Sequence, residues 1–348
     1  MNRIIQTALA SFGMSGMVFH GPSLKVNPNF HIHSILERSK NLSAESYPEA
    51  KIVRSFEELI QQPEVDLVII NTPDVFHYAM CKQALEAGKH VVVEKPFTHE
   101  VEQADELIAL AKSKKLVLSV YQNRRWDGDF LTVKKILSSG MIGRLVEFES
   151  HFDRYRNYVQ EGTWKEEGDK RHGVLFNLGS HMVDQVLQLF GLPQSVTAHL
   201  AILRDGGEVN DYYEIRLQYG NFAAILKSSY LVREPGPRYS LYGTHGTFHK
   251  WGIDPQEEML KAGRLPDEDG WGDEPQEDWG IINTEWNGLN YKGTIETLAG
   301  NYTAFYENLY EVLVNGKELA VKPEESRDVI HILNCCLQSH EENRTVFL

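Results

Sequence analysis

Three cysteines in 348 residues, Cys81, Cys335 and Cys336, cannot build a disulfide framework, and two of them are adjacent in a segment of helical character. That usage fits a reduced, cytosolic compartment. No uninterrupted apolar run approaches the roughly 18 residues that a membrane-spanning helix needs. The opening Met1-Asn2-Arg3 and Ile4 to Ala10 resembles a signal peptide superficially, but Gln6 and Thr7 interrupt it and a glycine pattern follows at once. Basic residues are in deficit, 35 Lys and Arg against 49 Asp and Glu, for a formal charge of -14. Such a field opposes nucleic-acid and anionic-membrane partners, although a local nest of backbone amides can still hold a phosphorylated cofactor. Metal and nucleophile signatures are absent as well: there is no H-E-x-x-H and no G-x-S-x-G, and His31 and His33 have no acid or cysteine at ligand spacing. What is present is 42% hydrophobic content in a chain without internal repeats, enough for a large core and two domains.

The first third alternates strand-like and helix-like segments. Arg3 to Ala10 reads as a strand, followed by a glycine-bearing turn, a short helix cut near Pro22 and a second strand from Phe30 to about Glu37. Ser55 and Glu58 form a capping box, Asp66 to Ile70 is a strand, and Tyr78 to Ala87 is a helix stopped by Gly88. Val91 to Glu94 and Leu116 to Val120 are further strands flanking a helix from about Glu100 to Ser113. This β-then-α order implies a doubly wound parallel sheet of the α/β class over residues 1–123. From 124 to 348 strands follow one another, Leu145 to Phe152, Ser195 to Leu203, Tyr212 to Tyr219 and Phe222 to Tyr230, with a hairpin turn at Gly220-Asn221. Antiparallel pairing and an α+β domain follow, with helices near Val174 to Phe190, Tyr302 to Val314 and Glu324 to Glu341. Asp254 to Trp279, rich in Asp, Glu, Gly, Pro and Trp without a clean period, reads as a long ordered loop or lid.

Chemistry concentrates at the ends of these strands. Val91-Val92-Val93 runs as a buried strand into Glu94-Lys95-Pro96, which fixes a lysine at the sheet edge where ligands bind in open α/β folds. The turn Phe12-Gly13-Met14-Ser15-Gly16 nearly matches G-x-G-x-x-G, with Ser11 in the first glycine's place, and is a candidate cofactor cradle. Glu37, 21 residues beyond Gly16, stands where a ribose-binding acid belongs, while Arg38-Ser39-Lys40 offers donors for a 2′-phosphate. NADP is therefore favoured, with NAD as the alternative. Asn71-Thr72-Pro73 and His77 place further polar groups beside the cofactor edge; the plain reading of His77 is helix capping or exposure. In the second domain Asn177, His181 and Asp184 share one side of a helix, with His181 a candidate acid or base. Asn123, Arg124 and Trp126, together with Arg156 in the Arg154 to Tyr158 stretch, combine aromatic faces and fixed donors suited to a polyhydroxylated ring, or alternatively form a polar domain interface.

Gly13-Met14-Ser15-Gly16, Thr72-Pro73 with His77, Ala87-Gly88-Lys89-His90-Val91 leading into Glu94-Lys95-Pro96, and Leu178-Gly179-Ser180-His181 together resemble the Gfo/Idh/MocA oxidoreductase family over nearly the whole chain. Phe19-His20-Gly21-Pro22, Asn123 to Asp127 and Trp251 to Asp254 are most similar to its NADP-dependent scyllo-inositol dehydrogenase branch. The resemblance implies a Rossmann domain that carries the cofactor and a second domain whose open, mostly antiparallel sheet makes homodimer or homotetramer contacts. It also implies a polyol or sugar substrate between nicotinamide and that domain, with Lys95 and His181 catalytic. In this picture Lys95, Asn123 and Glu94 also line the cofactor. Hydride transfer to or from a secondary alcohol needs a proton moved at oxygen, which His181 or a desolvated Lys95 can do. The family has an aspartate where this chain has Asn177. That departure keeps two alternatives open: a dinucleotide-binding sensor with little turnover, and an aldose or keto-sugar reductase.

Overall fold

Up to Val120, β-branched runs and capped helices build an all-parallel sheet in the computed structural model, which describes residues 3–163, 166, 168–169 and 171–348. Its strands are β1 (Ile5–Leu9), β2 (Phe30–Leu36), β3 (Lys51–Val53), β4 (Leu67–Ile70), β5 (His90–Val93) and β6 (Leu118–Val120), in the order β3-β2-β1-β4-β5-β6. This is the doubly wound order that reverses between β1 and β4, which makes the carboxyl ends of those two strands the ligand edge. β4 and the three valines of β5 are fully buried, as expected where helices cover both faces. The Ser55 cap is real: its hydroxyl accepts from Glu58 N at 3.1 Å, while the Glu58 carboxylate reaches back to Arg54 N rather than to the cap's own amide. Pro22 does not cut its helix. A π-helical stretch, Ser15–His20, leads directly into Gly21–Lys25, and Pro22 at the junction returns no hydrogen bond to the π-helical turn while its own carbonyl accepts from Val26 N at 3.2 Å.

The second sheet has nine strands: β7 (Leu145–His151), β8 (Ser195–Ala201), β9 (Tyr212–Tyr219), β10 (Phe222–Ser229), β11 (Tyr239–Gly243), β12 (Gly246–Lys250), β13 (Gly280–Trp286), β14 (Leu289–Ile295) and β15 (Val346–Phe347). The order is β14-β13-β12-β11-β7-β10-β9-β8-β15, with every neighbouring pair antiparallel except β7 and β10. Tyr219 pairs with Phe222 across the two-residue Gly220-Asn221 turn, and Gly220 takes φ +40°. The helix Ser180–Phe190 is buried along Ser180 to Val186 within this unit.

The chain divides into two compact units, Met1–Trp126 with Pro255–Gly272 and Asn301–Arg327, and Asp127–Asp254 with Asp273–Gly300 and Asp328–Leu348. The first crossing lies close to the sequence boundary at 123 and 124, but two later segments return to the first unit. One of them is most of the stretch expected to be a loop, and it contains a helix, Gln256–Lys261. Gln256, fully buried, explains its order: Oε1 accepts from Tyr302 N (2.8 Å) and Trp271 Nε1 (3.1 Å), and Nε2 donates to Trp126 O (3.1 Å). One amide thus joins three passes of the chain. Replacing it by leucine strands buried polar groups at about 1–3 kcal/mol each. Gln256→Leu is therefore expected to lower the melting temperature well beyond a surface substitution such as Lys261→Gln, measured by calorimetry, and equal midpoints would count against this role.

Candidate nucleotide site and the Lys95 and His181 elements

The ends of β1 and β4 are laced together. Ala10 N donates to Ile69 O (2.9 Å), Asn71 Nδ2 donates to Ser11 O (2.9 Å), and the Ser11 hydroxyl donates to Asn71 O (3.1 Å). A Cβ on Gly16 would stand 2.6 Å from Ser11 O and 2.9 Å from Asn71 Nδ2, so only glycine lets the helix start lie this close to the strand end. With Nδ2 committed, Asn71 Oδ1 is buried without a hydrogen-bond partner. A buried acceptor at the switch point beside a helix N-terminus fits a dinucleotide, whose hydroxyl and amide donors would satisfy it. Of the remaining turn residues, Phe12 is buried edge-on against Tyr47 with ring centroids 5.8 Å apart, and Met14 is exposed.

At the end of β5 the Glu94 carboxylate is held from several sides. Oε1 accepts from the Ser15 hydroxyl in a very short hydrogen bond and from His20 Nε2 at 3.1 Å, and Oε2 accepts from Lys95 N at 3.2 Å. His20 is wholly buried, and its Nδ1 meets Tyr306 OH at 2.6 Å. Burial alone would raise the Glu94 carboxyl, but the His20 bond, the charge that His20 carries over the acid range in which the carboxyl titrates, the Ser15 bond and the Lys95 charge outweigh it and hold the group at about 2. Glu94 is therefore an acceptor anchored by protein, and Lys95 beside it is half-buried at the sheet edge. His20 and Tyr306, 286 residues apart, were not among the residues that sequence reasoning placed in the site. The only signal was His20 within Phe19-His20-Gly21-Pro22, read as a mark of resemblance.

Two expected ligand groups are turned inward. Glu37, 5% exposed, accepts from Leu42 N (2.7 Å), Ser43 N (2.9 Å) and the Ser43 hydroxyl (2.6 Å), and burial, which would raise it, is overcome by the Ser43 and Leu42 bonds and Arg54, so its carboxyl lies below the ordinary range. Arg54 donates to the carbonyls of Glu37 and Lys40, and Arg38, Ser39 and Lys40 lie exposed on the loop so formed. His77 is neither a cap nor exposed. Its Nδ1 contacts Pro96 O (2.8 Å) and Nε2 contacts Thr72 O (3.0 Å), tying the residues after β4 to those after β5, and burial lowers its pKa against those carbonyls and the Asp74 charge. Both ring nitrogens are thus occupied by protein. Thr72 is half-buried and Pro73 precedes the short turn Asp74–Phe76. Asn123 is buried, the Arg124 guanidinium pairs with Glu257 at 2.5 Å, and Trp126 packs edge-on against Phe305.

In the second unit the helix is π-helical over Leu175–Gly179 and α-helical from Ser180. Asn210 organises its start: Oδ1 accepts from Leu175 N (2.8 Å), Nδ2 donates to His172 O (3.1 Å), and its carbonyl accepts from Val174 N (2.8 Å). Gly173 at φ +86° leaves no room for a side chain against that same asparagine. π-turns recur where a helix must present side chains at an unusual angle, and this one carries Asn177, half-buried, just before His181, which is 6% exposed. Arg156 is exposed, with its guanidinium 5.7 Å from the centre of the Tyr230 ring.

A parallel sheet of this order with a glycine turn at its reversal point marks the class of dinucleotide-binding folds. Residues 5–122 match the model of an oxidoreductase family NAD-binding Rossmann fold, and residues 134–348 match the C-terminal alpha/beta domain of the same family. The chain belongs to the Gfo/Idh/MocA oxidoreductase family. It is 39% identical over 344 residues to scyllo-inositol 2-dehydrogenase (NADP(+)) IolW of Bacillus subtilis, covering 99% of this chain and 96% of that one. It is 38% identical to the uncharacterized oxidoreductase YdgJ of Escherichia coli, covering 100% of both. Among solved structures, a candidate oxidoreductase from Bacteroides fragilis is 51% identical with TM-score 0.93, covering 99% of this chain and 100% of that chain.

Because the folded-state value of Glu94 lies below its ordinary 4.5, its ionised form adds stability that is complete above that pH and is lost as pH falls toward about 2. Glu94→Gln removes the titrating group. Its melting temperature is expected to fall less steeply than that of the unsubstituted protein on acidification below pH 4.5, as followed by circular dichroism. Parallel curves would mean that Glu94 has no depressed pKa.

Proposed function

We propose that the protein is an NADP-dependent dehydrogenase or reductase that interconverts a secondary alcohol and a ketone on a cyclitol or related sugar. The observation that carries the reading is Lys95 delivered by a buried strand to the edge of the dinucleotide sheet, next to an anchored carboxylate. The 39% identity to a named scyllo-inositol dehydrogenase over 99% of the chain supports the substrate class. Nicotinamide supplies or accepts the hydride when bound. In this proposal the Lys95 ammonium donates to the substrate oxygen and stabilises negative charge developing there. The proton-transfer role falls to His181. Asn177 keeps the shape and one acceptor of the family aspartate without its charge, so it orients substrate hydroxyls and leaves the histidine's proton affinity lower than a carboxylate would.

NADP rather than NAD is supported by Glu37. An acid committed to Leu42 and Ser43 does not offer its oxygens to a ribose, whereas exposed Arg38, Ser39 and Lys40 supply donors for a 2′-phosphate. We also propose a homodimer or homotetramer in the cytoplasm. Exposed Ile281, Trp286, Leu289 and Tyr291 on the β13–β14 hairpin support self-association, which light scattering reads directly, and three free, buried cysteines suit a reducing compartment.

Turnover of scyllo-inosose with NADPH, followed at the reduced-nicotinamide absorbance, tests the reaction. Lys95→Ala is expected to lower kcat by at least about a hundredfold, the scale of a lost oxyanion donor, while NADPH affinity stays within a few-fold. An unchanged kcat removes Lys95 from the chemistry. Arg38→Ala is expected to weaken NADPH binding by about ten- to a hundredfold, for a charge-assisted bond of roughly 1.5–3 kcal/mol, and NADH binding hardly at all. Fluorescence titration with both cofactors measures it, and equal losses would point to NAD.

A further inference from the structure

Three groups behind Lys95 make a single buried chain: Tyr306 OH, the His20 imidazole and the Glu94 carboxylate. Tyr306 and His20 are fully buried, and the His20 ring packs on Tyr121 with centroids 4.3 Å apart. Proton placement follows from counting donors and acceptors. If His20 is neutral with its proton on Nε2, Tyr306 donates to Nδ1, Nε2–H donates to Glu94, and every hydrogen has an acceptor. An imidazolium would put a second donor against Tyr306 and leave the phenol proton with none of the hydrogen bonds described here. Burial raises the Tyr306 pKa well above 10.0, so its proton stays in place across the working range.

The consequence reaches the reacting end. A neutral His20 leaves Glu94 with its full negative charge, fixed in one orientation by Ser15, by His20 and by the amide of Lys95. Other titratable groups facing that carboxylate are the Lys95 ammonium, His77, Tyr121 and Tyr306. Burial lowers the pKa of His77 and raises those of both tyrosines, so each of these three favours its neutral form. Lys95 is then the cation that answers the anion. We propose that Tyr306, His20 and Glu94 form a positioning chain in which Tyr306 selects the neutral tautomer of His20, so that the full negative charge of Glu94 faces Lys95 and keeps it protonated. The proposal goes beyond the reading of Lys95 as catalytic, because it concerns that residue's charge whatever its task.

Two spectroscopic measurements on the cofactor-free protein test it without an activity assay. Long-range 1H–15N spectra of histidine-labelled protein near pH 8, with His20 assigned by its loss in His20→Gln, are expected to show the Nε2–H tautomer, and Tyr306→Phe to disturb it. An imidazolium or an Nδ1–H form near pH 8 overturns the proposal. Titration of Lys95 through its 13Cε signal, assigned with Lys95→Arg, is expected to move down by about one unit or more in Glu94→Gln, the scale for removing an adjacent opposite charge. His20→Leu should share part of that fall and His20→Gln, which still presents one acceptor and one donor, should restore it. Should His20→Leu fail to fold, Tyr306→Phe takes its place, because it deletes only a hydroxyl. A Lys95 midpoint in Glu94→Gln within a few tenths of the original overturns the proposal, while inactivity of Lys95→Ala would still support the catalytic reading.

Discussion

A carboxylate in a nearly dry place has to find donors, and in this protein Glu94 finds them from elements that lie far apart in the chain. Its side chain is only 14% exposed, and its partners come from the glycine turn after β1, from the helix that follows it and from the next residue's amide. Moving any one of these would leave charge without compensation in a low dielectric, where it is most costly. The end of β5, the first helix and the Tyr306 helix are therefore held in a common arrangement by one ionised group. Lys95 inherits its place from that arrangement.

The neighbouring strand ends use neutral amides for the same purpose. Ser11 and Asn71 exchange hydrogen bonds across the reversal point of the sheet, and Gly16 permits the approach. His77 ties the residues after β4 to Pro96, so the edges of β1, β4 and β5 are each fixed by a polar strut. A ligand edge built in this way needs little reorganisation on binding, which favours affinity and orientation together. Glu37 at the end of β2 shows the alternative use of a strand-end acid: it closes the following loop on itself and leaves that loop's basic and hydroxyl side chains outward.

Segments that look like linkers or lids in sequence can be core-forming when a single buried amide gathers them. Gln256 does this for the first unit by binding Trp271, Tyr302 and the carbonyl of Trp126. Arg124, a candidate ligand donor or interface residue when read in line, is paired with Glu257, and its neighbour Arg125 with Glu325 and Ala320 O, in the same unit. The rejoining segments 255–272 and 301–327 are what supply those partners.

Strand and helix identities were legible because they depend on neighbours. Alternation marked β9 and β10 and the Gly-Asn turn between them, the Ser55 cap marked a helix start, and the valines of β5 marked a strand buried on both faces. A doubly wound parallel sheet was implied by strand and helix alternation, and the glycine turn, Lys95 and the resemblance together indicated the family. Glu37, His77 and Arg124 were each candidates for ligand contact, with capping or exposure as the alternative for His77 and internal ion pairing as the alternative for Arg124, and tertiary structure gives all three protein partners. His20 and Tyr306 became a pair only in the fold. Local backbone preference is set by residues a few positions apart, so sequence by itself determined the elements and their chemistry-bearing ends. A polar side chain is free to turn until folding decides which donors and acceptors surround it, and that surrounding comes from residues tens to hundreds of positions away.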